Sequence, residues 1–246
     1  PLTREDVEGV YAGLRPLLAG ESESTSKLSR EHTVAHPVPG LVMIAGGKYT
    51  TYRIMARDAV DAVAHGLDGR VAPSCTDVIP LAGADGYAAL WNSRYGLARS
   101  SGLHVARIEH LLHRYGSLTG EVLALIEADP SLGRPLAGAD DYLRADVVYA
   151  VTHEGARHLD DVLTRRTHAS IETWDRGQSA AQEAVTLMAG PMGWKSKQVA
   201  RELENYQARV AAEYASQDAT TDSDADAIRL GASDIVPVVH NGAVIA

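Results

Sequence analysis

The stretch LVMIAGGKYTTYRIMARDAVDAVAHGL, residues 41–67, sets a strand, a glycine turn and a helix one after another. Its first five residues are apolar, as in a strand, and the pair Gly46-Gly47 ends that strand. Beyond the turn, apolar residues recur every three or four positions, which predicts a helix over 50–67. The residues on its apolar face are Tyr52, Met55, Ala59, Val63 and Leu67.

The flanking sequence divides into a short strand-rich part and a long helical part. Upstream, 30–34 is predicted as a second strand, joined to the first by a turn that contains Pro and Gly. Downstream, 72–86 is rich in turn-forming residues and is predicted as a linker. Helical periodicity then returns in six segments: 86–100, 103–115, 118–128, 143–158, 176–189 and 194–216. The predicted fold class is therefore α+β, with a mostly α-helical carboxy-terminal domain after a short strand-rich piece.

Composition excludes several classes of function. The 246 residues include 23 Lys and Arg against 32 Asp and Glu, a net charge of −9, whereas nucleic-acid binding needs a basic face. Cys75 is the only cysteine, so no internal disulfide is expected.

We find no signal peptide and no apolar run of membrane-spanning length. Residues 218–246 are predicted as an acidic, disordered tail. Because the chain begins at Pro1 with sequence typical of mid-domain, we expect a truncation or cleavage point there.

Two strings resemble well-known motifs but have the wrong spacing. The pair HE at 153–154 followed by His158 suggests a zinc helix, but two His five positions apart lie about 140° apart around a helix. The pair GK at 47–48 suggests a phosphate loop, but Val42 and Tyr49 stand where that loop needs Gly and Ser or Thr. The chain has no GxGxxG and no GxSxG. No metal site is therefore predicted.

Three basic residues near glycine and proline turns are candidates for ligand contact: Arg15, Arg30 and Lys48. A solvated surface charge is the alternative for each, and for a lone arginine it is the commoner case. Around Lys48, glycines let the backbone approach a ligand closely, and the following helix presents free N–H groups and the positive end of its dipole. Such a place favours a group that gains negative charge, as a flavin does on reduction near its N1 and C2 carbonyl. A tight turn without a ligand remains the alternative.

Three segments together resemble the carboxy-terminal motifs of FAD-dependent glycerol-3-phosphate dehydrogenases: GLRPL at 13–17, SREH at 29–32 and GGKYTTYR at 46–53. The resemblance continues in family order to about 215, through DVLTRRT at 161–167, 174–194 and 202–206. Two residues depart from the family pattern. Tyr49 stands where Leu is usual, and His168 stands where Arg or Lys is common.

The resemblance implies a flavoenzyme of several parts. Residues 1–70 would be the carboxy-terminal portion of an FAD- and substrate-binding domain, 71–86 a linker and 87–217 a helical cap domain. FAD would be the cofactor, sn-glycerol 3-phosphate the substrate, dihydroxyacetone phosphate the product and a quinone the electron acceptor. We also expect a cytoplasmic location with peripheral contact at the inner face of the cell membrane, and a homodimer.

The resemblance also implies roles for individual residues. Arg15 and Arg30 would hold the substrate, because a guanidinium group matches a phosphate bidentately. The turn residues would bind the cofactor: Gly46, Gly47, Lys48, Thr50 and Thr51. No catalytic base is identified, and we expect it to lie outside this chain. Since no pyrophosphate-binding motif is present, we expect the chain alone to be inactive and colourless.

Two other interpretations stay open. A glycerol-phosphate oxidase would perform the same chemistry with oxygen as acceptor, and nothing in the sequence decides the acceptor. A stand-alone, non-catalytic helical interaction module would also fit a chain without GxGxxG.

Overall fold

The computed structural model describes residues 1–3, 6–7, 31–67 and 69–236, and the backbone of 238–240 and 243–245. The chain forms two compact units. We call 12–85 the hairpin unit, and 86–246 together with 1–11 the helical unit. The predicted substrate residues Arg15 and Arg30 lie outside the described residues.

The hairpin unit follows the predicted order of strand, strand, glycine turn and helix. Its elements are β1 (His32–Val38), β2 (Leu41–Gly46), a 3-10 turn (Tyr49–Thr51) and α1 (Tyr52–Ala64). The strands pair antiparallel, with His32 opposite Gly46. β1 continues past the predicted end at 34, because the register shifts after Ala35 and this bulge accommodates Pro37.

Side chains of the hairpin unit are poorly covered. None of its described residues is fully buried, including those predicted to form the apolar face of the helix. Val63 and Leu67 on that face are 46% and 57% exposed, and Met43 on β2 is 50% exposed. The local periodicity therefore predicts the elements correctly, but the described residues of this unit cover the apolar faces only in part.

The helical unit confirms the predicted α+β class with a mostly helical carboxy-terminal part. Its helices are α2 (Tyr87–Asn92), α3 (Arg94–Ser101), α4 (Val105–Tyr115), α5 (Thr119–Ala128), α6 (Arg144–Thr152), α7 (Ala169–Glu172), α8 (Gln178–Met192), α9 (Ser196–Gln217) and α10 (Asp222–Leu230). Two small hairpins accompany them, β3 (Pro135–Leu136) with β4 (Ala139–Leu143) and β5 (Val238–His240) with β6 (Ala243–Ile245). A π-helical segment spans Asp161–Arg166.

Two hydrophobic clusters hold the helical unit together. The larger one joins α6, α8 and α9, where alanines of α8 let the helices approach closely and Met188, Tyr206 and Val210 fill the space between them. The smaller one joins α4, α5 and α6 around Leu111 and Tyr149. Among the described residues, no helix is both long and apolar enough to cross a membrane.

Two helix predictions need correction. The segment predicted as one helix over 86–100 is two helices that meet at Ser93. The helix predicted over 143–158 ends at Thr152, and Gly155 follows with a φ of 69°, which a regular helix cannot include.

The tail predicted as disordered from 218 instead contains α10, which packs on α9. Thr221 caps this helix by accepting a hydrogen bond from Asp224 N at 3.2 Å. Asp222 and Asp224 lie in its first turn, where the helix dipole favours acidic side chains. The acidic residues that suggested disorder thus help to begin a helix.

Candidate functional site

The turn between β2 and α1 brings the five predicted cofactor residues together. Gly46 and Gly47 have φ angles of 78° and 87°, in the left-handed region that suits glycine. A Cβ on Gly47 would lie 2.7 Å from Met55 Cε and 3.3 Å from His32 Cβ. Glycine is therefore required at position 47 both by the backbone angle and by the space.

Thr51 supports the turn with its side chain. Its Oγ1 donates a hydrogen bond to Lys48 O at 3.0 Å and accepts one from Lys48 N at 3.3 Å. The Thr51 N–H also donates to Lys48 O at 3.0 Å. These bonds fix the backbone of Lys48, so the hydroxyl of Thr51 is already engaged within the protein.

Other groups of the turn are candidates for contact with a ligand. In the described part of the chain, the N–H groups of Tyr49 and Thr50 have no backbone acceptor, because they begin the 3-10 turn. Lys48 is exposed and has no acidic partner among the described residues. Two directed N–H donors and one unpaired ammonium group thus lie within three residues, an arrangement that suits a carbonyl or anionic group.

A second layer of polar residues lies behind the turn. His32 Nε2 is 2.8 Å from Asp58 Oδ2, and the Arg57 Nε donates to Asp58 Oδ1 at 2.9 Å. The hydrogen bond from Arg57, and then that from His32, lowers the pKa of Asp58. Asp58 is therefore the ionised acceptor of both neighbours at neutral pH.

Arg53, the last residue of the GGKYTTYR segment, has a structural contact. Its guanidinium donates to Ile79 O at 2.6 Å, and Asp61, about two turns further along α1, accepts from Ser74 N at 3.1 Å. Both contacts attach the segment after α1 to the helix. Arg53 therefore organises the hairpin unit, a role that its place in the motif did not reveal.

A cleft of about 490 Å³ in the helical unit is unsuited to an anionic substrate. Its walls carry four carboxylates together with Trp174, which is 63% exposed. The carboxylates belong to Asp140, Asp141, Glu172 and Asp175. Because carboxylates repel a phosphate, this cleft does not compete with the glycine turn as the candidate site.

Comparison with known proteins gives a family. The model of the C-terminal domain of alpha-glycerophosphate oxidase matches residues 74–199, half of the chain. The chain belongs to this family. It is also 53% identical over 232 residues to glycerol-3-phosphate dehydrogenase 2 of Mycobacterium tuberculosis, covering 94% of this chain and 40% of that protein. The glycerol-3-phosphate dehydrogenase of Synechocystis is 33% identical over 212 residues, covering 83% of this chain and 38% of that protein.

A solved structure shares the fold. The X-ray structure of the glycerol-3-phosphate dehydrogenase from Bacillus halodurans, complexed with FAD, matches with a TM-score of 0.66 at 25% identity. The match covers 85% of this chain and 40% of that one. The chain thus spans about 40% of the length of these relatives.

Within the region matched by the family model, the DVLTRRT segment has structural contacts. Arg165 pairs with Asp160, which also pairs with Arg209 from α9. Arg166 donates from Nε to Glu154 O at 3.0 Å, and Thr167 Oγ1 donates to Val162 O at 2.8 Å. These contacts hold the π-helical segment in the helical unit.

The two histidines of the apparent zinc string belong to separate networks. His153 stacks on the Tyr149 ring at 4.4 Å. His158 Nδ1 lies 2.9 Å from Glu202 Oε1, and Glu202 is fully buried and also accepts from Leu159 N at 3.0 Å. In the described ranges, no group of three or more His, Cys, Asp or Glu is arranged to hold a metal ion.

Proposed function

We propose that this chain is the carboxy-terminal part of an FAD-dependent dehydrogenase that oxidises sn-glycerol 3-phosphate to dihydroxyacetone phosphate. Its family membership, its relatives' names and the FAD-complexed neighbour support this activity. Below, "the full-length enzyme" means the polypeptide in which this chain follows a dinucleotide-binding domain. The proposal makes the hairpin unit part of the cofactor and substrate site.

The observation that carries the proposal is the glycine turn. Among the described residues, the N–H groups of Tyr49 and Thr50 and the ammonium group of Lys48 have no partner, and they suit the carbonyl edge of an isoalloxazine ring. The described residues offer no comparable cradle for the pyrophosphate of FAD, and the sequence has no GxGxxG. The residues present therefore fit the ring of the cofactor, with the pyrophosphate held elsewhere in the full-length enzyme.

FAD, when bound, supplies the hydride acceptor for C2 of the substrate. Lys48 and the amides of the turn would stabilise the negative charge that develops at the carbonyl edge of the ring. Gly46 and Gly47 would let the backbone come close, and Thr51 would keep Lys48 in place through its two hydrogen bonds.

Substrate binding is assigned to two arginines. Arg15 and Arg30 would clamp the phosphate, because each guanidinium presents paired donors to its oxygens. Arg30 lies two residues before His32, which packs against the glycine turn. This short separation in sequence is what supports a substrate site next to the flavin site.

We further propose a quinone as electron acceptor, peripheral contact of the full-length enzyme with the inner face of the cell membrane, and a homodimer. The alternative acceptor is oxygen, since the matching family model is that of an oxidase. Turnover of the full-length enzyme under nitrogen with a soluble quinone, compared with oxygen uptake in its absence, separates the two. Turnover without quinone and with stoichiometric oxygen uptake identifies an oxidase.

The stand-alone interaction module is tested on the chain itself. We expect purified residues 1–246 to lack flavin absorbance and turnover of glycerol 3-phosphate, and the full-length enzyme to have both. Flavin bound near one per chain by the 246 residues alone contradicts the assignment of the pyrophosphate to another part. Absence of flavin from the full-length enzyme favours the interaction module.

A further inference from the structure

The turn that we propose to face the flavin is packed between two elements. A Cβ on Gly47 would lie 2.7 Å from Met55 Cε on α1 and 3.3 Å from His32 Cβ on β1. His32 also lies opposite Gly46 in the hairpin. The turn is therefore confined between the first residue of β1 and the first turn of α1. A change in the spacing of these two elements moves it.

A hydrogen bond between side chains spans the same two elements. His32 Nε2 lies 2.8 Å from Asp58 Oδ2, and the two side chains are only 19% and 34% exposed. Asp58 follows Met55 by three positions and so lies on the same side of α1. Arg57 engages the second carboxylate oxygen at 2.9 Å, which orients Asp58 toward β1.

The other polar contacts of α1 lead away from the turn. Arg53 binds Ile79 O, and Asp61 binds Ser74 N, so both hold the segment that follows the helix. In the ranges that the structure describes, the contact between His32 and Asp58 is the side-chain hydrogen bond that joins β1 to α1.

We propose that His32 and Asp58 are positioning residues for the turn that faces the flavin. By fixing the spacing of β1 and α1, they hold Gly47 between His32 and Met55 and so set the direction of Lys48. In this role the two residues act through the turn and not by contact with the flavin or the substrate. The inference rests on the proposed function, because it assigns the pair a purpose only where the turn faces the flavin.

The first test uses the 246-residue chain with isotope-labelled methionine methyl groups, of which it has four. Asp58→Ala is expected to shift the methyl resonance of Met55, because the spacing of β1 and α1 changes. The resonance of Met188, which is buried in the helical unit, is expected to stay in place. Asp61→Ala is the matched control, since it removes a contact of the same helix that leads to Ser74.

A pair of His32 variants keeps the test decisive where Asp58→Ala fails to fold. His32→Gln retains an N–H donor for Asp58 and is expected to keep the Met55 resonance of the unaltered chain. His32→Leu has similar bulk without a donor and is expected to shift it. An unmoved Met55 resonance in Asp58→Ala, or identical Met55 resonances in the two His32 variants, overturns the inference and leaves the proposed function standing.

The second test measures flavin binding in the full-length enzyme. Asp58→Ala is expected to raise the flavin dissociation constant about tenfold, by analogy with the lower end of what loss of a supporting partner costs at a metal site, and to move the flavin absorption bands. Asp61→Ala is expected to do neither. Unchanged flavin affinity and absorption in an Asp58→Ala enzyme whose Met55 resonance has moved overturns the inference together with the proposed flavin site.

Discussion

Gly47 faces Met55 so closely that no side chain fits between them. A Cβ on Gly47 would lie 2.7 Å from Met55 Cε and nearer still to its Sδ, and the φ of Gly47 is 87°. The backbone angle and the packing of Met55 are thus two independent reasons for glycine at position 47. Gly40 in the turn of the same hairpin has a similar φ of 81° but nothing within 4 Å of its Cβ position.

This contrast predicts different costs for two alanine substitutions. Gly40→Ala should destabilise the hairpin unit by about 1 kcal/mol, from backbone strain alone. Gly47→Ala should cost about 1–3 kcal/mol, because Met55 must also move. Hydrogen exchange of the α1 amides measures the local free energy of opening. In a Met55→Ala background the difference between the two costs should shrink, because only the 3.3 Å approach to His32 Cβ then remains. A Gly47→Ala chain that exchanges like Gly40→Ala would show that Met55 moves without penalty.

Local features of the hairpin unit could be predicted from sequence, whereas its tertiary contacts could not. Apolar runs and the glycine pair mark the strand, the turn and the helix, since these signals act between near neighbours. The contact of His32 with Asp58 joins residues 26 positions apart, and no periodicity points to it. Thr51 was predicted to bind cofactor, but only the structure reveals that its hydroxyl bonds the Lys48 backbone.

In the helical unit, too, local elements could be predicted from sequence and tertiary contacts could not. Its helices follow the apolar spacing, but the π-helical segment at Asp161–Arg166 does not, and Asp160 at its start pairs with Arg209 of α9, a contact that the spacing does not indicate. In the sequence, Glu202 is one of several acidic residues of α9. In the structure it is buried and bonds His158 and Leu159, which lie 44 and 43 positions away. A buried carboxylate is recognised only when the helices that enclose it are known.

From the burial of Glu202 we predict that its substitution strongly lowers the stability of the helical unit. Glu202→Ala leaves the Leu159 N–H and the His158 ring without their acceptor and should lower the free energy of unfolding by about 3 kcal/mol. Glu202→Gln keeps one acceptor oxygen and should cost about 1–2 kcal/mol. Glu204→Ala on the exposed side of α9 is the control and should stay within about 0.5 kcal/mol. Urea unfolding followed by circular dichroism measures all three, and equal midpoints for Glu202→Ala and Glu204→Ala contradict the role of Glu202.

Glu154 predicts a pH dependence of stability. Burial raises its pKa above the usual 4.5, and Arg114 and Arg166 only partly oppose this effect. The folded chain then holds this proton to higher pH than the unfolded chain does. The contribution of Glu154 is therefore favourable below pH 4.5 and is lost as pH rises through the raised pKa.

Glu154→Gln removes this titration. Its melting temperature relative to the unaltered chain should rise as pH increases above 4.5, the usual Glu value. Glu204→Gln, which removes an exposed carboxylate of α9, is the control and should follow the unaltered chain. A Glu154→Gln chain that becomes relatively less stable with rising pH would mean that its pairing with Arg114 outweighs burial.

Arg15 gives a prediction for the full-length enzyme. A charge-assisted bond to phosphate contributes on the order of 1.5–3 kcal/mol, so Arg15→Ala should lower kcat/KM for glycerol 3-phosphate roughly ten- to a hundredfold with flavin content unchanged. Arg15→Lys should recover only part, because a point charge cannot make the forked contact. Arg70→Ala, at an arginine of the hairpin unit that the structure shows exposed, is the control. Steady-state kinetics with unaltered kcat and KM in Arg15→Ala would identify Arg15 as a surface charge.

Substitution of Lys48 distinguishes a turn that faces the flavin from a turn that binds no ligand. If its ammonium group and the amides of Tyr49 and Thr50 face the carbonyl edge of the ring, they stabilise the reduced, anionic flavin more than the oxidised, neutral one. Lys48→Met removes the charge and keeps the alkyl stem, so packing should be little disturbed. The flavin reduction potential should then fall by roughly 30 mV, the equivalent of about 1.4 kcal/mol for a two-electron couple.

Lys195→Met, at an exposed lysine of the helical unit, is the matched control. The measurement is a potentiometric titration of the full-length enzyme and both variants, with flavin content determined in each. Equal potentials in Lys48→Met and Lys195→Met at full flavin occupancy would mean that Lys48 does not sense the flavin and that the turn faces another part of the molecule.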